Sequence, residues 1–412
     1  MSRRARRRET RRRETRAAAR PDTRSGTRSA LLRGVLAGAS AAVVGAVATS
    51  SAAAHLARRA VTVEPSRPDD ATIVEVGEDV VVLRATPETS APGRYGLEQD
   101  RGTVHARVGE IVDRDDEAGT VTRRLLGVDR GIPHPGGAWW SQSYHHGDPM
   151  TALGLPFRTI GIPTEFGPMP AWLVPASGHV PSAGTWAILV HGRGGTREEC
   201  LRALPVLHRL GMTSLVVSYR NDPGAPPSPR GRYLLGDAEW ADVEDAVIHA
   251  LRSGARDVVL LGWSMGGAMV LQLVARSWTA DRVSAVVLDA PVLDWRHVLD
   301  HNARAQRIPA PLARLARRFL GHPLTSRIVG IDDPVSLDRL DWVARASELR
   351  LPLLLIHSED DETVPVGPSR MLAEARPDLV TFVPSRGARH TKEWNVDPDG
   401  WETAVARFLL GL

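Results

Sequence analysis

Four stretches of the chain hold residue types that together make a serine hydroxyl usable as a nucleophile. Gly262-Trp263-Ser264-Met265-Gly266-Gly267 follows the apolar run Asp257-Val258-Val259-Leu260-Leu261 and leads into small residues. Such a G-x-S-x-G segment suits a strand that turns abruptly into a helix and leaves the serine exposed above the sheet, where larger side chains in place of the glycines would collide. The run Leu353-Leu354-Leu355-Ile356-His357-Ser358 ends in four acids, Glu359, Asp360, Asp361 and Glu362, before Thr363-Val364-Pro365. Gly387-Ala388-Arg389-His390-Thr391 lies just beyond the last strand candidate. Serine, acid and histidine thus come in chain order, 97 residues from Ser264 to Asp361 and 29 more to His390. A hydroxyl needs an imidazole to take its proton, and the imidazole needs a carboxylate to hold its tautomer and stabilise the imidazolium. His191-Gly192-Arg193-Gly194-Gly195, directly after Trp186 to Val190, adds a backbone slim enough to approach a substrate with its N–H groups inward, as an oxyanion hole requires.

These residues need a scaffold that brings strand ends together. After residue 157 short apolar runs alternate with helix-length amphipathic segments. Strands are expected at Phe157 to Pro163 and Pro170 to Val174 as a hairpin, then Trp186 to Val190, Ser214 to Tyr219, Val258 to Leu261, Ala285 to Leu288, Leu351 to Ile356 and Val380 to Val383. Helices are expected at Arg197 to Leu210, Ala238 to Leu251, Met265 to Ser277, Gly367 to Ala375 and Trp401 to Leu410. The alternation implies an α/β fold, a doubly wound and mostly parallel sheet that binds ligands at the carboxyl ends of its strands. Residues 291–345 interrupt it with a helix-rich stretch suited to a cap that sets acyl preference.

Residues 157–412 resemble the α/β-hydrolase superfamily, and the serine elbow, the histidine-glycine turn and the D-x-x-V-P stretch resemble its serine esterase and prolyl-oligopeptidase-like branches. The resemblance implies Ser264 as nucleophile, Asp361 as acid, His390 as base, and the backbone N–H groups of Met265 and Arg193 as oxyanion donors. Asp360, and Asp289 at the end of the preceding strand, are the alternative acids. Asp237 to Val243 and His390 to Asn395 are similar to an actinobacterial membrane-associated subgroup. The implied activity needs no metal or organic cofactor, and its substrate is a small-molecule ester or acyl compound.

The N-terminal part reads differently. Residues 1–33 hold thirteen arginines against Glu9, Glu14 and Asp22, a balance of +10, so residues 34–412 sum to −6 within a total of +4. The basic tail has no interleaved aromatic residue, which argues against base stacking and a nucleic-acid partner. From Gly34 to Ala57 there are 24 residues without Asp, Glu, Lys or Arg, about 36 Å as a helix against a hydrocarbon core of about 30 Å. A transmembrane anchor over 34–57 is expected, with the arginine tail cytoplasmic and the catalytic domain extracytoplasmic. The alternative is a secreted protein cleaved near Ala46-Val47-Ala48. Residues 60–150 carry short strand-like pieces, Thr72 to Val76, Val80 to Arg84, Val104 to Val108 and Val121 to Leu126, and suggest a small β-rich domain. Its Trp139, Trp140 and Tyr144 are suited to covering the main domain.

Other chemistry-bearing residues have plainer readings. His134, His145, His146 and Asp148 lack the spacing of a zinc site, so polar loop packing is expected. Glu239 and Asp242 suit a solvated or Arg-paired helix face. Cys200, the single cysteine, suits a buried small side chain and excludes an intrachain disulfide. The expected activity is hydrolysis of a carboxylic ester, with a thioester or an amide as the further options, through an acyl-serine. A prolyl-oligopeptidase-like peptidase is the enzyme alternative, although residues 60–150 cannot hold a seven-bladed propeller, which needs about 300 residues. A hydrolase fold reused for binding is the non-enzyme alternative.

Overall fold

Two sets of strands, before residue 142 and after residue 157, solve the edge problem in different ways. The computed structural model describes residues 45–63, 68–178 and 184–412. Strands β1 (Ala71–Val76), β2 (Val80–Arg84), β3 (Tyr95–Gln99), β4 (Val104–Asp115), β5 (Thr120–Arg130) and β6 (Gly136–Ser141) form a closed antiparallel barrel in the order β1-β2-β5-β4-β3-β6. Closure leaves no open edge. Ile73, Leu83, Leu97, Val108 and Trp140 fill it, each on the inward side of a period-2 strand. The buried Arg123 donates to the carbonyls of Gly109, Thr89, Ala91 and Gly93, pinning the loop between β2 and β3. Trp140 therefore belongs to the barrel's own core, and Tyr144 packs with Trp394 of the main domain.

The second set, β7 (Arg158–Thr164), β8 (Gly167–Val174), β9 (Thr185–Val190), β10 (Thr213–Val217), β11 (Asp257–Trp263), β12 (Val283–Asp289), β13 (Leu353–Ser358) and β14 (Val380–Ser385), forms a sheet of order β14-β13-β12-β11-β9-β10-β8-β7. From β10 to β14 all neighbours are parallel, and the β7-β8 hairpin joins antiparallel. Ile188, Val190, Val258 and Leu260 face one hydrophobic core, while Ala187, Leu189, Val259 and Leu261 face the other. Burial on both faces is why these strands read as unbroken apolar runs.

The helices are α1 (45–61), α2 (Pro149–Leu153), α3 (Leu204–Arg209), α4 (Trp240–Arg252), α5 (Met265–Arg276), α6 (Trp295–Ala305), α7 (Ala310–Gly321), α8 (Pro323–Val329), α9 (Gly367–Ala375), α10 (Glu393–Val396) and α11 (Pro398–Leu410). The expected helix at 197–210 is split into a 3₁₀ segment, Arg197–Ala203, and α3. Helices α6 to α8 occupy the region expected as a cap.

Residues 1–33, and 34–44 of the expected membrane segment, lie outside the described residues. Among the described residues no helix is long and apolar enough to cross a membrane. Ala53, Ala57 and Val61, at helical spacing, are buried in the core that also holds Ile188 and Leu260. The expected boundary at Ala57 therefore moves: the end of that apolar run packs against protein, where its small side chains permit a close approach.

Candidate active site

The turn after β11 is built by steric exclusion. Ser264 holds φ 50° and ψ −115°, a costly backbone conformation for a non-glycine residue. A Cβ on Gly262 would lie 2.8 Å from Gly266 backbone, and one on Gly266 would lie 2.2 Å from the Val190 carbonyl. Only glycine at both positions lets β11 pass directly into α5. Ser264 ends 8% exposed, with its hydroxyl at the start of α5.

The structure brings Ser264, His390 and Asp361 into one chain of hydrogen bonds. Ser264 Oγ donates to His390 Nε2 at 2.9 Å, and His390 Nδ1 donates to Asp361 Oδ2 at 2.7 Å. The turn after β13 selects among the four acids. Asp361 Oδ1 accepts the N–H groups of Thr363 and Val364, both at 2.8 Å, which aims its other oxygen at the imidazole. Asp360 instead accepts from Gly387 N, Glu359 pairs with Arg370 and Arg386, and Glu362 pairs with Arg389. Asp289 accepts from the indoles of Trp263 and Trp401.

Electrostatics follow from this arrangement. Burial works to raise the Asp361 pKa, but the charge of His390 and hydrogen bonds from His357 and His390 outweigh it and hold the carboxyl well below its ordinary range. Burial works to lower that of His390, yet the charge and hydrogen bond of Asp361, helped by Glu199 and Glu362, leave it raised above 6.5.

His357 at the end of β13 is a further site residue, to which the apolar run that it ends assigns no role. Fully buried, its Nε2 lies 2.9 Å from the Val364 carbonyl and 3.2 Å from Asp361 Oδ2, and its Nδ1 lies 2.7 Å from Ser369 Oγ. A carbonyl accepts only, so Nε2 carries the proton and Nδ1 accepts from Ser369. The sequence signal was a histidine ending an otherwise apolar strand just before the acids.

Beside the elbow serine, a Cβ on Gly192 would lie 3.1 Å from Ser264 Cβ. Gly192 N donates to Glu199 Oε2 at 2.7 Å, its carbonyl accepts from Tyr219 OH at 2.8 Å, and His191 pairs with Asp222 at 2.8 Å. Arg193 and Ser264 line both parts of a two-lobed cavity. The larger lobe, about 330 Å³, is walled by α1, α6 and α7 through residues such as Leu56, Trp295, Leu299 and Leu320. The smaller, about 180 Å³, is polar and is lined by Gln142, Glu199, Glu362 and Lys392, the one lysine of the chain. Met265 is buried at the first position of α5.

The remaining candidates are placed elsewhere. His134 pairs with Asp100, His145 packs against Tyr144 and Trp394, His146 stacks on His105, and Asp148 caps α2. Asp242 is buried in an ion pair with Arg220, and Glu239, also buried, accepts from Leu234 N and Gly236 N. Of the expected solvated or Arg-paired face, Asp242 takes the Arg-paired form, while Glu239 departs from both because it is buried and binds the loop before α4. Cys200 is buried.

An elbow serine after the central strand of such a sheet defines an α/β hydrolase. Residues 187–407 match the alpha/beta hydrolase family, and the chain belongs to it. Residues 72–141, the barrel, match a family described as a domain of unknown function. The chain is similar to the lysophosphatidylserine lipase ABHD12 of Rattus norvegicus, 24% identical over 226 residues, 49% of this chain and 50% of that protein. It is also similar to uncharacterized protein Rv2307c of Mycobacterium tuberculosis, 26% identical over 232 residues, 55% of this chain and 70% of that one. The chain spans about half the length of the ABHD12 proteins it matches. In fold it is similar to the Pyrococcus furiosus esterase PF2001, with TM-score 0.50 and 18% identity over 65% of this chain and 94% of the other.

Proposed function

We propose that this hydrolase cleaves a carboxylic ester joining one apolar acyl chain to a polar alcohol, through an acyl-serine intermediate. The observation that carries the reading is the Ser264–His390–Asp361 hydrogen-bond chain at the junction of an apolar and a polar lobe. Ser264 Oγ attacks the carbonyl carbon while His390 Nε2 takes its proton, and Asp361 stabilises the imidazolium. The tetrahedral oxyanion is held by the N–H groups of Met265 and Arg193. Its collapse breaks the ester bond, and His390 returns the proton to the departing alkoxide. Water then enters by the same route and releases the acid.

The rat relative is by name a lipase for lysophosphatidylserine, and a polar lobe beside an apolar one suits an acyl ester of a polar alcohol. A peptide substrate finds less support, because the acyl side is lined mainly by apolar side chains such as Leu56, Trp295, Leu299 and Leu320. Residues 34–52, with the arginine tail before them, are proposed to hold the N-terminus in the cytoplasm and the catalytic domain outside. External protease acting on wall-free cells should degrade the domain; full protection refutes that orientation.

The test is labelling by a fluorophosphonate together with aryl esters of graded acyl length and a peptide amide. The wild-type protein should be labelled and prefer the esters. Ser264→Ala should lose the label and at least about 10⁴-fold in turnover with its fold intact. Unchanged rates in that variant sink the mechanism.

A further inference from the structure

The apolar lobe has a wall that comes from outside the hydrolase sequence pattern. Leu56 and Ala60, one turn apart on α1, line the lobe that contains Ser264, while Ala53, Ala57 and Val61 on the adjoining stripe are buried in the core. The end of α1 is fastened on several sides. Arg193 Nη2 donates to the carbonyls of Thr62 at 2.9 Å and Arg59 at 3.2 Å. The last carbonyls of a helix lack intrahelical donors and carry its negative dipole end, so a guanidinium there is a natural cap. In return Arg58 donates to the Val329 and Ile328 carbonyls at the end of α8, in the cap. Tyr233 N donates to the Val61 carbonyl, and Thr62 forms a bridge with Arg232, whose guanidinium also bonds the Thr62 hydroxyl.

Arg193 therefore has two attachments. Its backbone lies in the turn beside Ser264, and its side chain holds α1. We propose that residues 53–62 are the acyl-reading wall of the active site and that Arg193 latches this wall to the oxyanion turn, so acyl length and oxyanion geometry are set together. The cap alone does not determine acyl preference, because α1 faces α6 and α7 across the same lobe. The proposal rests on the acyl-ester reading given above, and its test separates the two.

The full chain is compared with Leu56→Trp, Leu56→Ala, Arg193→Met and Arg193→Lys on p-nitrophenyl esters from acetate to palmitate. Binding of the free fatty acids, followed by tryptophan fluorescence, supplies a readout that needs no catalysis. Leu56→Trp should cut kcat/KM and fatty-acid affinity for the longest accepted chains at least tenfold relative to acetate. Leu56→Ala should move the profile toward longer chains. Arg193→Met should lower kcat on acetate about tenfold with KM unchanged, and Arg193→Lys, which can still reach a carbonyl, should recover part of it. Folded Leu56 variants with the wild-type chain-length profile overturn the wall, and a wild-type kcat in Arg193→Met overturns the latch. If no ester is cleaved but fatty-acid affinities shift with Leu56, the wall stands and the esterase reading falls.

Discussion

Ser264 and Asp361 are fixed by the sheet, whereas the segment that carries His390 is held both by the turn after β13 and by contacts from outside the sheet. The serine follows β11, flanked by β9 and β12, and its position is a matter of glycine contacts with the neighbouring strand. The acid follows β13 and is aimed by two N–H groups of its own turn. The histidine lies on the loop after β14, the edge strand. That loop is tied to the barrel: Asn395 Nδ2 donates to the carbonyls of Arg94 at 2.7 Å and Gln142 at 2.9 Å, and Arg94 N donates back to the Asn395 carbonyl. Arg94 also lies over the rings of Tyr144 and Trp394, and Arg389 pairs with Glu88. The difference leads to the expectation that the barrel acts as a second support for the segment that carries His390.

The largest effect should come from the sheet-held acid. Asp361→Asn should lower turnover by about 10⁴-fold, because an amide leaves the imidazole in the wrong tautomer. Asp360→Asn and Asp289→Asn, whose carboxylates bind Gly387 N and two indoles instead, should each cost less than about tenfold. Turnover of all three at one pH, with circular dichroism to check folding, decides it; a dead Asp360→Asn beside an active Asp361→Asn would shift the acid by one residue.

Next comes the barrel-held base. Asn395→Ala removes the donor from two carbonyls in a buried contact, and each unsatisfied group costs about 1–3 kcal/mol. Turnover should fall about tenfold or more, since a small displacement of a catalytic group is expensive. Arg124→Ala, on an exposed barrel ion pair, should leave both rate and stability near wild type. If Asn395→Ala keeps full turnover while losing stability, the barrel is a packing partner and not a buttress.

The sheet-held half was legible in the sequence, and so were His390 and four of the barrel strands, but the contacts that join the barrel to the histidine loop were not. Buried parallel strands announce themselves as apolar runs, and a nucleophile elbow by its glycines, because both constraints are local. Asp361 needed the spacing to Val364-Pro365, again a local turn. By contrast β3 and β6 hide behind Gly96, Glu98 and Gln99 and behind Gly136-Gly137, since a small closed barrel tolerates glycine and polar residues where strands curve. Asn395 and Arg94 are 301 residues apart, and Arg193 is 131 residues from the Thr62 carbonyl it binds. Neither leaves a periodic trace. The Ala-rich run ending at Ala57 fits a bilayer and a protein groove equally well, so composition alone could not say where a membrane segment would stop.

A smaller effect sharpens the electrostatic side of the comparison. The proposed mechanism needs neutral His390, whose pKa is raised above 6.5 with Asp361 opposing the effect of burial. The acid limb of kcat/KM should therefore have its midpoint above pH 6.5, with activity rising as the imidazolium loses its proton. In the residual activity of Asp361→Asn that midpoint should move down. A limb that stays in place would assign the titration to another group.

The smallest effect concerns the carboxyl pair beneath the histidine loop. Glu393, buried at the start of α10, accepts from Ser358 N at 2.9 Å through Oε1, while its Oε2 and Asp289 Oδ1 meet no other donor. Burial, then the charge of Asp289, push Glu393 well above its ordinary 4.5, which favours the form that holds its proton. Unfolding releases that proton once the pH exceeds about 4.5. The folded state then binds more protons than the unfolded state, and stability must fall as pH rises from there toward the folded pKa. The loss is at most about 1.4 kcal/mol per pH unit. Glu393→Gln keeps an acceptor for Ser358 and a donor for Asp289 without a titrating group, so its Tm relative to wild type should climb between pH 5 and pH 8. Parallel Tm curves for the two proteins would show that the pair shares no proton and that Glu393 anchors the histidine loop through Ser358 N and packing only.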